Sequence, residues 1–71
     1  MTFKETPISK YSDLPIAQVK IGDTYVVASS FNNNGESYYA GDLIVASGVE
    51  EDGYITDISW IHVETGYIHE Q

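Results

Sequence analysis

The sequence contains no cysteine and no arginine, and each absence excludes a class of protein. Without cysteine the chain can form neither disulfides nor thiolate metal sites. The basic residues are Lys4, Lys10 and Lys20, against 11 acidic residues, so the formal net charge is −8 at pH 7. Residues 21–71 carry no Lys or Arg, and such a surface repels phosphate backbones and anionic lipids. We therefore expect binding neither to nucleic acid nor to a membrane.

Long apolar runs are also missing. The longest uninterrupted aliphatic stretch runs from Leu43 to Ala46, far short of a membrane-spanning helix. Residues 1–20 hold no apolar stretch long enough for a signal peptide, so we expect no targeting segment and a soluble chain. A domain of 71 residues has a core that contributes only about 3–5 kcal/mol. With no disulfide to reinforce that core, we expect a homo-oligomer or a multi-copy assembly.

From Ile16 onward the residues are typical of β-structure, because β-branched and aromatic side chains alternate with Gly, Asn and Asp. Asn34-Gly35 predicts a hairpin between a strand ending near Phe31 and one through Tyr38-Tyr39. The segment "VEEDG" predicts a turn, and an interruption at Asp57 separates the last two predicted strands. Ile58 and Trp60 share one parity and Ile61 and Val63 share the other, which predicts a flip of the buried face, as at a bulge. The remaining predicted strands are "AQVKI" (17–21), "DTYVVAS" (23–29), "DLIVAS" (42–47), "YIT" (54–56) and "SWIHV" (59–63).

These segments predict two regions. Residues 1–15 are expected to form an extended N-terminal arm, because Pro7 and Pro15 favour extended geometry before them and no periodic pattern is present. Residues 16–71 are expected to form the domain. Its fold class is predicted to be all-β: a small single-domain barrel, SH3-like or related, of about six short strands.

A short internal repeat supports this interpretation. Gly22-Asp23 and Gly41-Asp42 each open a predicted strand that ends in Val-Ala-Ser. Glycine allows the turn geometry, and aspartate can accept hydrogen bonds from nearby backbone amides. We interpret the repeat as two similar corners of one small barrel.

Few residues form a pattern that a metal site, a cofactor site or a catalytic site would require. The acidic cluster at 50–53 lacks the alternating spacing and distant glutamate of a calcium loop, and is better interpreted as a solvated turn. His62 and His69 have no marked third partner for zinc, and His62 is expected to be a partly exposed strand residue. No serine lies in a nucleophile elbow, and no glycine-rich phosphate loop occurs. We predict no metal site, no cofactor and no catalytic residue, and therefore no enzyme.

Aromatic residues are dense for a chain of this length. Tyr and Trp suit protein interfaces, because they bury a large area and keep a polar tip. They also suit sugar-binding surfaces, and they can simply fill a barrel and cap its ends. As a candidate protein interface we select Tyr38, Tyr39, Trp60 and Tyr67.

Three segments in order form a recognisable set: "KIGDTYVVA" (20–28), "AGDLIVAxGxExDGYI" (40–55) and "WxxVxTGY" (60–67). The set resembles a small β module of tailed-bacteriophage virion proteins, namely head-fibre, capsid decoration and tail-fibre components. The resemblance covers residues 18–67. It implies a module docked on capsid or tail proteins, often in several copies, located in the virion or in the host cytoplasm before assembly. It implies no catalytic residue.

Three functions follow as hypotheses. The first is a phage virion structural protein, a capsid- or tail-docked decoration or fibre-anchoring module that acts through protein–protein contacts. The alternative is an acidic inhibitor that mimics DNA and binds a basic groove of a host enzyme, which requires carboxylates clustered on one face. The third is a sugar-binding or hydrolytic domain. The acidic surface serves either a basic partner or solubility alone.

Overall fold

A computed structural model describes residues 2–65 and shows two β-sheets. The larger sheet has the strand order β1-β2-β5-β6, and β3 pairs with β4 in the smaller sheet. The all-β class is confirmed, and the sheets are not closed into a barrel. In the described part of the chain, no helix is long and apolar enough to cross a membrane. The elements are β1 (Thr2–Phe3), a 3-10 turn (Tyr11–Asp13), β2 (Asp23–Val26), β3 (Phe31–Asn33), β4 (Glu36–Tyr38), β5 (Leu43–Glu51) and β6 (Tyr54–Val63).

The two longest strands, β5 and β6, form an antiparallel hairpin. The register runs from Leu43 opposite Val63 to the turn, and it shifts by one residue between Val49 and Glu50. The shift leaves Thr56 of β6 without an opposite residue, which is a β-bulge. The flip of the buried face predicted between Trp60 and Ile61 is wrong, because Ile61 and Val63 are 50% and 39% exposed. The bulge lies at Thr56 instead, between Ile55 and Asp57. It explains why buried positions change parity along β6.

Two tight turns agree with the turn residues in the sequence. The predicted hairpin at Asn34-Gly35 joins β3 to β4, with φ angles of 53° and 80°. Asp52-Gly53 joins β5 to β6 in the same way, with φ angles of 56° and 86°. Left-handed geometry at both positions matches the right-handed twist of the flanking strands. The turn predicted over "VEEDG" is thus confined to its last two residues, because Glu50 and Glu51 still belong to β5.

The strand predicted at 17–21 is wrong. Gln18 has a left-handed φ of 59°, which interrupts any extended run at that point. Val19 is instead 1% exposed, and its carbonyl accepts a hydrogen bond of 2.7 Å from the Ile55 N–H. It packs with Ala46 and Ile55 in a small second core. Burial of the Val19 side chain in this second core sets the path of residues 17–21.

Residues 2–15, expected to be an extended arm, lie against the larger sheet. β1 pairs parallel with β2, and Ile8 bridges to Val27. Ile8 is fully buried and Leu14 is 7% exposed. The physical reason is that a small sheet gains much of its apolar burial from these two side chains. The main core consists of Ile8, Leu14, Tyr25, Val27, Tyr38 and Ile44.

Candidate functional site

The two Gly-Asp corners have the same hydrogen-bond geometry. At Gly22-Asp23 the aspartate N–H donates to the Lys20 carbonyl (3.1 Å), and its Oδ2 accepts from the Lys20 N–H (3.1 Å). At Gly41-Asp42 the same two bonds join the aspartate to Tyr39, at 2.9 and 3.1 Å. The glycines have φ angles of 94° and 97°. The prediction of a repeated corner with aspartates bound to backbone amides is confirmed.

The second corner also holds a buried imidazole between two carboxylates. His62 Nε2 lies 2.8 Å from Asp42 Oδ2, and His62 Nδ1 lies 2.6 Å from Glu36 Oε2. The imidazole is 6% exposed, and the Asp42 side chain is fully buried. Ionised carboxylates only accept hydrogen bonds, so both ring nitrogens must donate and the ring is an imidazolium. We call these three side chains the His62 bridge.

The pKa values of the His62 bridge agree with this charge state. Burial alone would lower the pKa of His62, but the hydrogen bonds and charges of Asp42 and Glu36 raise it above 6.5 overall. Burial alone would raise the pKa of Asp42. The hydrogen bonds from His62 and from the Tyr39 and Thr65 N–H groups, with the His62 charge, lower it below 3.8 overall. With both ring nitrogens bonded to carboxylates, neither is available to accept a proton from a nucleophile.

The His62 bridge fastens the smaller sheet to the larger one. Glu36 belongs to β4, and His62 belongs to β6. The Tyr38 ring stacks on the imidazole at 4.2 Å, and the Phe31 ring stacks on Tyr38 at 4.8 Å. Sequence reasoning expected His62 to be partly exposed. The available signal was its parity, because it shares the inward face of β6 with Trp60.

The predicted interface residues are dispersed. Tyr38 is 6% exposed and belongs to the main core, and Trp60 is partly buried against Tyr25 with ring centroids 5.8 Å apart. Tyr39 is 37% exposed. Tyr67 and His69 lie outside the described residues. Of the three predicted interface residues that the structure describes, Tyr39 presents the most exposed side chain.

A shallow groove of about 270 Å³ lies beside the β3–β4 hairpin. It is lined by Ser30, Phe31, Asn32, Ser37, Tyr38 and Tyr39. The volume falls just below the range of about 300–1,000 Å³ that is usual for small-molecule sites. Within residues 2–65, no group of three or more His, Cys, Asp or Glu side chains is placed to hold a metal ion.

The outer face of the larger sheet carries apolar side chains from all four strands. Cross-strand pairing aligns Val26, Leu43 and Val63 in one row. It aligns Phe3, Thr24, Val45 and Ile61 in the next. Phe3 is 59% and Ile61 is 50% exposed, whereas the opposite face of the sheet packs on the main core. We call these two rows the outer face; none of their residues is ionisable.

The carboxylates do not share one face. Asp23, Asp42 and Glu36 form the internal bonds described above, and Asp13 accepts a hydrogen bond from the Ser9 N–H. The exposed acidic residues of 50–52 sit at the far end of the β5–β6 hairpin, in a molecule 42 Å long. Three exposed carboxylates therefore lie at the hairpin tip, and none lies in the two rows of the outer face.

Comparison of this chain with protein-family models, with curated proteins and with solved structures finds no match. Its function is therefore inferred from the fold and from these surfaces.

Proposed function

We propose that this chain is a structural protein that acts through protein–protein contacts made by its outer face. The observation that carries the proposal is the pair of uncharged rows on the solvent side of a four-stranded sheet. A sheet is stable when apolar side chains on each face are covered by another layer. The inner face packs on the core, whereas on the outer face, within residues 2–65, Thr24 is fully covered but Phe3, Val26, Ile61 and Val63 are between 38% and 59% exposed. Exposed apolar patches of this kind mark interaction sites. The partner is a protein surface that is itself apolar and uncharged.

The specific role that we propose is a decoration or fibre-anchoring module docked on the capsid or tail of a tailed phage. The resemblance of residues 20–28, 40–55 and 60–67 to virion modules supports it. These segments contain β2, β5 and most of β6, the strands that carry most of the outer face. The same strands thus carry both the resemblance and the candidate docking surface.

The test is retention on phage particles. Val26 points outward from β2 and is 38% exposed, so Val26→Asp places a charge on the outer face and leaves the core intact. We expect particles to retain the wild-type chain through gradient purification and to lose Val26→Asp. Ile16→Asp is the matched control, because Ile16 is 91% exposed and lies outside the sheet. Failure of the wild-type chain to stay on particles refutes the virion role. Equal retention of all three refutes the outer face as the docking surface.

The alternative prediction is that the chain is an acidic inhibitor of a host enzyme. The feature that it would use is the hairpin tip, where Glu50, Glu51 and Asp52 are exposed. Capture from a host lysate of a DNA-binding protein, weakened by salt and by the triple change to Gln, Gln and Asn at these positions, would favour it. Recovery of no such protein counts against it.

A further inference from the structure

The larger sheet has two unequal edges. At one edge lies β1, which is 2 residues long, and at the other lies β6, which is 10 residues long. In the part of the chain that the structure describes, β6 pairs with β5 and with no other strand. A long edge strand presents N–H and C=O groups with which another strand can pair.

Hydrogen bonds around β5 show which groups of β6 point to the open edge. The Ala46 carbonyl accepts from the Gly22 N–H at 3.0 Å, on the side of β5 away from β6. Opposite residues of an antiparallel pair either bond each other with both groups or turn both groups away. Trp60 lies opposite Ala46, so its N–H and C=O point away from β5. Because this orientation repeats at every second residue of a strand, the N–H and C=O groups of Ile58 and His62 also point away from β5.

One part of this edge is already covered within the chain. On the turn side of the bulge, the Ile55 N–H points to the edge and donates to the Val19 carbonyl. On the other side of the bulge, no backbone group within residues 2–65 hydrogen-bonds the outward groups of Ile58, Trp60 and His62. These three residues form the open segment of the edge.

We propose that this open segment binds a second copy of the same chain, β6 against β6 in antiparallel orientation, with Trp60 opposite Trp60. In this register Ile58 of each copy lies opposite His62 of the other, so every outward N–H and C=O of the open segment has a partner. A shift in either direction places one of the three opposite a residue outside the set. The contact is isologous and closes as a two-fold dimer.

Charge and surface shape favour a second copy over another partner. Residues 58–62, which pair with one another in this register, contain no Asp, Glu, Lys or Arg, so no two carboxylates meet within the paired segment, and Asp57 and Glu64 lie just outside it. In the dimer the outer faces of the two copies lie on the same side of one continuous sheet; Ile61 of each copy lies opposite Ser59 of the other, and Val63 lies opposite Asp57. The dimer extends the proposed function by doubling the docking surface, but its formation needs no other partner.

Cysteine cross-linking tests the register directly, because the chain has no cysteine of its own. In the proposed dimer, Ser59 lies opposite Ile61 of the second copy on the exposed outer face. Opposite Cβ atoms are about 4.5–5.5 Å apart and diagonal pairs are wider, so the opposite pair comes nearest to disulfide geometry. A mixture of Ser59→Cys and Ile61→Cys chains, oxidised and separated by mass, should give roughly tenfold more mixed dimer than either self-dimer.

Ser12→Cys mixed with Ser59→Cys is the control, because Ser12 is exposed and lies outside the sheets. Mixed dimer at no more than the control level overturns the proposal, as does an excess of either self-dimer. Sedimentation of the unmodified chain provides a second measurement, and the dimer fraction should rise with salt because screening weakens repulsion between like charges. A monomer at every salt concentration also overturns the dimer. If the chains cross-link in this register but are not retained on phage particles, the virion role is refuted and the dimer is not.

Discussion

At the residue scale, His62 joins two sheets through one ring. Its nitrogens bond Asp42 before β5 and Glu36 in β4, and Tyr38 stacks on its face. A positive charge with little solvent exposure is stabilised only while both carboxylates remain in place. The attachment of the smaller sheet therefore depends partly on protonation of His62, in addition to the packing of Tyr38 in the main core.

Stability should consequently depend on pH through the His62 bridge. The pKa of His62 is raised by folding, so its contribution is complete below 6.5 and is lost as pH rises through the raised value. The pKa of Asp42 is lowered, so its contribution is complete above 3.8 and is lost as pH falls through the lowered value. We expect the free energy of unfolding, measured by urea denaturation, to be highest between about pH 4 and 6.5.

His62→Gln supplies the control for this pH dependence. The variant cannot titrate at this site, so its stability should be lower at pH 5.5 and should lack the decline above pH 6.5. His69→Asn should keep that decline. A wild-type stability that stays constant from pH 5.5 to 9, or a decline that persists in His62→Gln, contradicts the assignment.

Gly48 is the second residue on which local structure depends. Its φ is 126°, and a Cβ at this position would lie 2.0 Å from the Asp57 carbonyl oxygen beside the bulge. Gly48→Ala therefore combines backbone strain with a clash that only a backbone shift relieves, and should cost at least about 3 kcal/mol. Gly35→Ala has a left-handed φ of 80° but open space, and should cost roughly 1–2 kcal/mol. Chemical denaturation compares them, and equal costs would exclude the clash.

At the scale of elements, the Gly-Asp corners set where β2 and β5 begin. Each corner satisfies a backbone N–H with its own aspartate, so the strand start is encoded within four consecutive residues. Local encoding explains why these corners and the two tight turns were predictable. The segment at 17–21 is different, because Val19 contacts residues far away in sequence and its own pattern resembles a strand.

The corners also differ in a testable way. Asp23→Ala removes the cap on Lys20 and an ion pair of 3.8 Å to Lys4, whose side chain is 41% exposed. Loss of the buried acceptor should cost roughly 1–3 kcal/mol, and the exposed pair adds little. Asp42→Ala removes the same cap and also leaves the buried His62 charge with one carboxylate, so its cost should be roughly 3–5 kcal/mol. Equal thermal destabilisation of the two variants would contradict the His62 bridge.

At the scale of the whole molecule, residues 2–15 are part of the folded domain. Ile8 is fully buried against the larger sheet, and its N–H donates to the Val26 carbonyl. Before it in the chain, the Lys4 N–H donates to the Thr24 carbonyl. Removal of this segment therefore opens the main core. The surfaces that we propose for contacts with neighbouring molecules, the outer face and the edge of β6, both belong to the larger sheet.

Ile8 and Ile16 form a matched pair that tests how much residues 2–15 contribute to stability. Ile8→Ala should cost roughly 2–5 kcal/mol, because it leaves a cavity in the core of a small domain. Ile16→Ala should change stability by less than about 0.5 kcal/mol, because Ile16 is 91% exposed. Urea denaturation of both variants shows whether residues 2–15 belong to the folded domain or form a free arm. A small loss in the free energy of unfolding for Ile8→Ala would indicate that residues 2–15 form a free arm.

The sequence by itself determined the all-β class, the hairpin at Asn34-Gly35 and both Gly-Asp corners. Each depends on neighbouring residues, through positive φ angles, alternation or short-range hydrogen bonds. Only the tertiary structure decided the burial of Ile8 and Val19, the open arrangement of the sheets and the meeting of His62 with Glu36. His62 and Glu36 lie 26 residues apart, and no local pattern encodes a contact that packing of distant strands creates.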